Sequence, residues 1–234
     1  AGLVGALKDA GCIVAYQVGS LEEAAMAWSE GVDVLIVQGR EAGGHLRGAQ
    51  ALYPLLSAIK SHCTDVMVIA SGGIHDGPTA QAAMARGADG VAAGTRFLMS
   101  AESQAHRAYK QRLVAGSKTV VTSLFGFGWH APHRVLENKA TAAWAGDGRG
   151  PGWIAPINQC SGRVSKFIPQ GAQDLLHRAQ SIKVPLYTPV APTERMRGRA
   201  NVEVSALYAG KCVSEIDAVK PAASIVRDIG ESII

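Results

Sequence analysis

CIVAYQVGSLEEAAMAWSEGVDVLIVQ, residues 12–38, places two apolar runs on either side of an amphipathic segment. The runs at 12–18 and 32–38 are rich in β-branched residues and apolar on both faces, which is typical of buried parallel strands. Between them, Ser20 followed three residues later by Glu23 predicts a capped helix that ends at Gly31. This stretch therefore predicts a strand–helix–strand unit.

The same alternation continues to residue 93. The sequence predicts a helix over 51–62, a strand over 66–70, a helix over 78–86 that closes at Gly87, and a short strand over 90–93. Four strands with helices and short turns between them predict an α/β fold with a parallel sheet.

The second half of the chain loses this alternation. A helix is predicted over 101–115. Pro and Gly are too dense in 146–152 and 188–199 for long regular elements, so an irregular cap or insertion is expected over 117–199. A last helix, predicted over 218–233, would pack back on the core. We therefore divide the chain into 1–116, 117–200 and 201–234. Residues 1–11 resemble the end of a helix that follows an earlier strand, so we expect strands to be missing from the N-terminus.

Composition excludes several functional classes. The 234 residues carry a net charge of +4 from scattered basic residues, so we expect no nucleic-acid partner. The sequence contains no apolar run of about 18 residues, so we expect no membrane-spanning segment. The four cysteines form no CxxC pair, which favours reduced thiols in a cytoplasmic protein over disulfides or a metal site.

Two glycine-containing loops follow successive predicted strands. SGGIHDG (71–77) supplies Gly72 and Gly73, and AAGTRF (92–97) supplies Ala93, Gly94 and Thr95. Backbone N–H groups in such loops, with the positive end of the following helix, can bind an anion. The alternative is a pair of tight turns. Because no GxGxxG motif follows a strand, the pattern favours FMN over FAD.

A third loop, GREAGGHLRG (39–48), surrounds one histidine with four glycines. His45 can exchange a proton near neutral pH, and the glycines would let a planar ring approach the backbone. Gln17 and Gln38 each end an apolar strand, and their amides could bind the N–H and C=O groups of a heterocycle or make a plain loop contact. A flexible surface loop with an incidental histidine is the alternative. Glu41 and Arg47 could orient or charge-balance the loop, or they could be exposed, solvated charges.

The other histidines give weaker signals. We expect His75 to be solvated, and His62, His106 and His177 to lie on helix surfaces. His130 and His133 have the i, i+3 spacing of metal ligands, but no carboxylate or cysteine set completes a site. The sequence therefore predicts no metal site.

QGREAGGH, ASGGIHDG and GVAAGTRFLMSAES, in this order, resemble the FMN-dependent nitronate monooxygenase family, with the flavin-dependent enoyl-[acyl-carrier-protein] reductases as close relatives. FGFGWHAPHRVLENKA and SALYAGK extend the resemblance. It implies a TIM-barrel flavoprotein in which His45 is the catalytic base. It also implies FMN contacts at Gln17, Gln38, Gly43, Gly73 and the run Ala92, Ala93, Gly94 and Thr95. Leu46 departs from the family's GGHRG pattern, so Arg47 receives no role by analogy.

The resemblance implies oxidation of alkyl nitronates or nitroalkanes by O2 to a carbonyl compound and nitrite. It also implies that the chain corresponds to the C-terminal half of a (β/α)8 barrel with an irregular cap. Two alternatives stay open: an NAD(P)H-dependent enoyl thioester reductase, and a half-barrel fragment without catalytic activity of its own. A half barrel would expose an apolar sheet face, which favours a homo-oligomer.

Overall fold

The computed structural model of the chain describes residues 2–148, 150–165, 169, 175, 177–196 and 201–233. Its elements, in chain order, are α1 (Gly2–Asp9), β1 (Ala15–Val18), α2 (Leu21–Ser29), β2 (Val34–Gln38), β3 (Gly44–His45), α3 (Leu52–His62), β4 (Met67–Ser71), α4 (Gly77–Met84), β5 (Gly90–Ala92), α5 (Gly94–Leu98), α6 (Arg107–Ala115), β6 (Thr119–Thr122), β7 (His133–Leu136), α7 (Lys139–Trp144), α8 (Ile154–Ser165) and α9 (Ala222–Gly230). Short 3-10 helices lie at Glu194–Met196 and Lys211–Glu215. None of the helices within the described ranges is long and apolar enough to cross a membrane.

The chain divides into two compact units. The sheet unit contains Ala1–Ala42, Leu46–Phe97 and Pro221–Ile234, and the cap unit contains Gly43–His45 and Leu98–Lys220. This division differs from the segments expected from the sequence. Leu98–Ala115 and most of the segment after residue 200 belong to the cap unit, because their buried apolar residues, Leu113 and Leu207 among them, share a core that is separate from that of the sheet unit.

The sheet unit confirms the predicted α/β fold. Its four strands are parallel and ordered β1-β2-β4-β5. The buried strand residues, such as Val18, Leu35 and Val68, join residues of α2, α3 and α4 in one apolar core. On the opposite face, Gln17 and Met67 are exposed. The helices therefore cover one face of this sheet, and the alternation of side chains leaves the other partly open.

The first two strands are shorter than predicted because Asp33 interrupts their pairing. Val14 donates its N–H to the Asp33 carboxylate at 2.9 Å, and its carbonyl accepts the N–H groups of both Asp33 and Val34. The regular register then begins with Ala15 opposite Val34. The predicted cap of α2 is present, since Ser20 Oγ accepts the Glu23 N–H at 3.2 Å. The Glu23 carboxylate accepts the N–H of Gly19 at 2.8 Å.

The cap unit contains regular elements that the sequence pattern did not predict. β3, β7 and β6 form an antiparallel sheet in the order β3-β7-β6, and α7 and α8 follow it. Within its described residues, the segment expected to be irregular thus holds two strands, the helices α7 and α8, further helical residues at 177–179 and the 3-10 helix at Glu194–Met196. Of that segment, residues 149, 166–168, 170–174, 176 and 197–199 lie outside the described residues.

Two helices are shorter than predicted for local reasons. The helix expected over 101–115 begins at Arg107, because serine hydroxyls accept N–H groups in the preceding turn and the His106 side chain caps the helix by accepting the Ala108 N–H at 3.2 Å. The helix expected over 218–233 begins at Ala222, directly after Pro221 at its N-cap. A proline ring fixes φ and favours the first positions of a helix.

Candidate active site

The glycines of residues 39–48 are explained mainly by close backbone packing. In the sheet unit, a Cβ on Gly39 would lie 2.6 Å from the Leu52 Cα, and a Cβ on Gly48 would overlap the backbone of Gly19. In the cap unit, a Cβ on Gly43 would lie 2.5 Å from the backbone of Ala209 and Gly210. Glycine is therefore required at these three positions by packing within the fold, whether or not a ligand ring binds.

Glu41 and Arg47 fix the conformation of this loop and are not simply solvated. Glu41 Oε2 accepts the Leu52 N–H at 3.0 Å at the start of α3. Arg47 pairs with the Glu23 carboxylate at 2.7 Å, and its backbone N–H donates to Gln38 Oε1 at 2.8 Å. These contacts exclude the flexible surface loop that was the alternative for this segment.

His45 lies on β3 in the cap unit, in a cluster of aromatic rings. Gly44 has a φ of +79°, a conformation that glycine adopts readily, and His45 pairs with His133 across the antiparallel sheet. Trp129 stacks on the His45 ring, with centroids 4.3 Å apart and planes inclined by 13°. The rings of His133 and Tyr208 lie 5.4 Å and 5.5 Å from it.

Burial determines the protonation of this cluster. Partial burial lowers the pKa of His45, so its neutral form dominates at neutral pH. The pKa of His133 falls to about 4, chiefly because the ring is buried, against an opposing hydrogen bond to Ala131 and with further lowering by His45 and His130. Burial also raises the pKa of Tyr208 well above its ordinary value, and its O–H donates to Pro189 O at 2.7 Å. The cluster is therefore uncharged at pH 7.

His133 presents a buried hydrogen-bond acceptor. Its Nδ1 lies 2.9 Å from the Ala131 carbonyl, which can only accept, so Nδ1 carries the proton and Nε2 has a lone pair. Within the described part of the chain this Nε2 has no hydrogen-bond partner. The alternative of a metal site at His130 and His133 gains no support, because no three described His, Cys, Asp or Glu side chains group closely enough to hold a metal ion.

The residues expected to bind a phosphate lie together in the sheet unit. Ser71 of β4 is paired with Ala92 of β5, so the loops that begin with Gly72 and Ala93 leave neighbouring strands at the same edge. Gly72 and Gly73 have φ values of +115° and +78°. A Cβ on Gly94, the first residue of α5, would meet no atom within 4 Å, which leaves this backbone open to a ligand.

One part of the expected phosphate site differs in the structure. The start of α4 is already capped, because Asp76 accepts the Thr79 N–H at 2.9 Å and the Thr79 hydroxyl contacts the Asp76 backbone N–H. The N-terminus of α4 thus already faces a carboxylate, which would repel a phosphate. The backbone at Gly94, at the start of α5, is more open than the backbone at Gly77, at the start of α4.

The two glutamines differ in environment. Gln38 is buried at the end of β2, opposite Ser71, and its side-chain carbonyl holds the Arg47 backbone. Gln17 is exposed on the outermost strand of the sheet, opposite Ile36. Gln38 therefore lies at the strand edge that carries the glycine loops, and Gln17 lies one residue before the end of its strand.

Three other histidines are buried, contrary to expectation. His75 folds back so that Nδ1 lies 3.1 Å from the Gly73 carbonyl, and Nε2 lies 3.5 Å from Asp76 Oδ2. His106 caps α6, and His177 lies 3.1 Å from Thr188 Oγ1. Short polar contacts within the fold distinguish these three residues from surface histidines. The positions of the histidines along the sequence do not reveal such contacts. His62 is exposed as predicted.

Sequence reasoning missed Trp129 and Tyr208 as neighbours of His45 and treated His133 only as a metal ligand. Trp129 and His133 belong to the GFGWHAPHRVLEN motif, and that unusual density of aromatic and histidine residues was the available signal. Tyr208 lies in the SALYAGK motif, but its position in the sequence does not indicate a contact with His45, because it reaches the cluster through an isolated bridge to Val135 on β7.

The sequence of this chain resembles that of known proteins. A sequence model of the nitronate monooxygenase family matches residues 2–231. Nitronate monooxygenase npaC of Metarhizium robertsii is 42% identical over 142 residues, which are 53% of this chain and 40% of that protein. A (3aS,4S,5R,7aS)-5-hydroxy-7a-methyl-1-oxo-octahydro-1H-indene-4-carboxyl-CoA dehydrogenase of Mycobacterium tuberculosis is 37% identical over 158 residues, 66% of this chain and 44% of that protein. The chain thus spans less than half the length of these relatives.

Solved structures of similar proteins agree with the match to the nitronate monooxygenase family model. The nitroalkane oxidase of Streptomyces ansochromogenes superposes with a TM-score of 0.70 at 25% identity, over 98% of this chain and 60% of that chain. FabK of Thermotoga maritima superposes with a TM-score of 0.67 at 28% identity, over 97% of this chain and 63% of that chain. With a family model that matches the chain from residue 2 to residue 231, these similarities show that the chain belongs to the nitronate monooxygenase family.

Proposed function

We propose that the chain is part of a flavin-dependent oxidoreductase that oxidises alkyl nitronates and nitroalkanes with O2, giving a carbonyl compound and nitrite. The observation that carries this proposal is His45, a partly buried imidazole that is neutral at pH 7 and packed among uncharged rings. Membership of the nitronate monooxygenase family and the likeness to a nitroalkane oxidase support it.

We propose FMN as the cofactor, and the sheet unit fits its phosphate. The adjacent loops at Gly72–Gly73 and 93–95 offer backbone N–H groups, and the open approach to Gly94 leaves room for a ligand. When bound, the flavin would accept two electrons from the substrate and pass them to O2. Gln17, Gln38 and Gly43 are proposed as further flavin contacts on the family resemblance.

His45 is proposed to remove the α-proton of a neutral nitroalkane with a ring nitrogen. A base must be unprotonated to act, and burial favours the unprotonated ring. Activity on nitroalkanes should therefore be lost only as the pH falls below the ordinary histidine range. An alkyl nitronate has already lost this proton and needs no base.

The test is nitrite formation from 2-nitropropane and from its nitronate. We expect His45→Asn to slow the reaction of the neutral nitroalkane about 10²- to 10⁴-fold, the usual contribution of a positioned base, and to slow the nitronate reaction much less. His62→Asn, which changes an exposed histidine of the sheet unit, is the matched control and should leave both rates unchanged. Equal losses on both substrates would contradict the assignment of His45 as base.

A second candidate is an oxidoreductase that acts on an acyl thioester. The carboxyl-CoA dehydrogenases of Mycobacterium tuberculosis and Rhodococcus jostii match 66% and 68% of this chain, more than npaC does, and FabK superposes on nearly all of it. Rapid bleaching of the bound flavin by NAD(P)H without oxygen would indicate an enoyl thioester reductase. Bleaching by a hydroxyacyl-CoA would indicate a dehydrogenase.

We further propose that the four-stranded sheet corresponds to half of a (β/α)8 barrel. The chain covers 60–63% of the solved relatives, and one face of its sheet is partly exposed. This exposed face supports association of the chain with itself. The four cysteines form no CxxC pair in the sequence, and this supports the cytoplasm as its location.

A further inference from the structure

Trp129 is a large apolar side chain that the cap-unit core does not require. Its side chain is 61% exposed, yet it lies flat on the partly buried ring of His45. The loop that carries it is anchored, since the Gly128 N–H donates to Ser161 Oγ at 2.8 Å and the Trp129 N–H donates to Gly126 O at 3.1 Å. The stacked position is therefore set by the fold of this loop.

The ring neighbours of His45 are uncharged. His133 on β7 is neutral because it is buried, and Tyr208 is a neutral phenol that donates to Pro189. His130 is next to Trp129 in the chain, and a protonated His130 would disfavour a positive charge on His45. Arg134, which pairs with Gly44 across the sheet, directs Nη1 to Thr119 Oγ1 at 3.2 Å.

The face of an indole ring carries negative electrostatic potential. A cation over this face is attracted to it, and tryptophan provides the strongest attraction of the aromatic side chains. When His45 takes up a proton, its ring becomes a cation parallel to the Trp129 indole at 4.3 Å. Burial opposes the same protonation, so the indole offsets part of the cost of burying the base.

We propose that Trp129 is a positioning residue that stabilises the protonated ring of His45 through its indole face and thereby makes His45 a stronger base. The electrostatic effect concerns this chain's own residues and needs neither flavin nor substrate. Its catalytic consequence, faster removal of a proton from a neutral substrate, rests on the proposed function.

The test is the pKa of His45, measured by NMR of the ring protons across a pH titration of the chain. Trp129→Phe keeps an aromatic face, Trp129→Leu removes it with similar bulk, and Trp153→Leu changes another exposed tryptophan of the cap unit. We expect the pKa of His45 to be highest in the wild type, lower in Trp129→Phe and lowest in Trp129→Leu. The pKa in the Leu variant should lie about half a pKa unit below that in the wild type. The Trp153 variant should match the wild type.

The comparison of Phe with Leu separates the indole effect from desolvation, because both replacements cover His45 with a similar volume. A His45 pKa in the Leu variant that equals or exceeds that in the Phe variant would overturn the proposal. In the wild type, the indole N–H signal of Trp129 should shift with pH together with the ring signals of His45. An indole signal that does not change over this pH range would also overturn the proposal.

Activity separates this proposal from the proposed function. If the pKa of His45 follows the predicted order and the wild type forms no nitrite from any nitronate, the electrostatic role of Trp129 stands and the proposed substrate fails. If nitrite forms and the pKa order is absent, the substrate stands and the role of Trp129 fails.

Discussion

Replacing His133 with phenylalanine should remove a defined part of the pH dependence of stability. His133 is fully buried, and burial lowers its pKa from 6.5 to about 4. In the unfolded chain the ring titrates near 6.5, so below that pH the unfolded state binds a proton that the folded state does not. The stability that depends on neutral, buried His133 is therefore fully present above pH 6.5 and is lost as the pH falls towards 4.

The magnitude follows from the two pKa values. A difference of 6.5 against about 4 corresponds to about 3 kcal/mol in total, of which about 2 kcal/mol is lost between pH 7.5 and pH 5. At pH 5 most carboxylates are still ionised, so this interval isolates histidine protonation. We expect the drop in unfolding free energy between pH 7.5 and pH 5 to be smaller in His133→Phe by about this amount.

The assay is urea unfolding at both pH values, followed by tryptophan fluorescence. Three of the four tryptophans, Trp129, Trp144 and Trp153, lie in the cap unit with His133. His62→Phe is the control, because it replaces an exposed histidine of the sheet unit. If His133→Phe loses as much stability as the wild type between the two pH values, the reasoning about its burial and neutral state is wrong.

Further predictions concern packing and helix caps. Gly43→Ala should destabilise the chain by about 1–3 kcal/mol, because the added Cβ would lie 2.5 Å from the backbone of Ala209 and Gly210; Gly5→Ala in α1, where nothing lies within 4 Å, should be neutral or stabilising in the same denaturation assay. Asp76→Ala should lower the melting temperature through loss of about 1 kcal/mol from the α4 cap, and Asp65→Ala, at an exposed position, should not. Asn138→Ala should cost more than the loss of a surface cap, because the buried Asn138 side chain caps α7 and also donates to the carbonyls of Val202 and Ser205 at 2.9 Å. Asn138→Asp keeps the capping oxygen but turns an acceptor towards these two carbonyl oxygens, so it should also be destabilised, and an Asp variant as stable as the wild type would contradict this account.

Local patterns predicted the sheet unit because its elements are determined by neighbouring residues. Apolar runs, Ser20 before Glu23 and the closing glycine at residue 31 indicated the strands and helix, and errors of two to three residues arose where Asp33 interrupts the strand pairing. The α4 cap was missed because Asp76 lies within the phosphate-type loop, where its charge was not weighed against the expected anion.

The surroundings of His45 could not be predicted in the same way. β3 is only two residues long, so it has no periodicity, and its partner β7 lies near residue 133. Sequence reasoning identified His45 through its flanking glycines, while Gly43 is in fact required by packing against Ala209. The ring stack with Trp129 joins segments more than 80 residues apart, and nothing in the spacing of residues along the chain indicates that contact.

The most direct test of the account is the reduction of bound flavin under anaerobic conditions, followed by visible absorbance. Flavin-loaded protein should be bleached both by 2-nitropropane and by its nitronate, and His45→Asn should be bleached by the nitronate at nearly the wild-type rate but by 2-nitropropane about 10²-fold or more slowly. Bleaching of the wild type by neither compound, or an equal loss of both reactions in His45→Asn, would contradict the account.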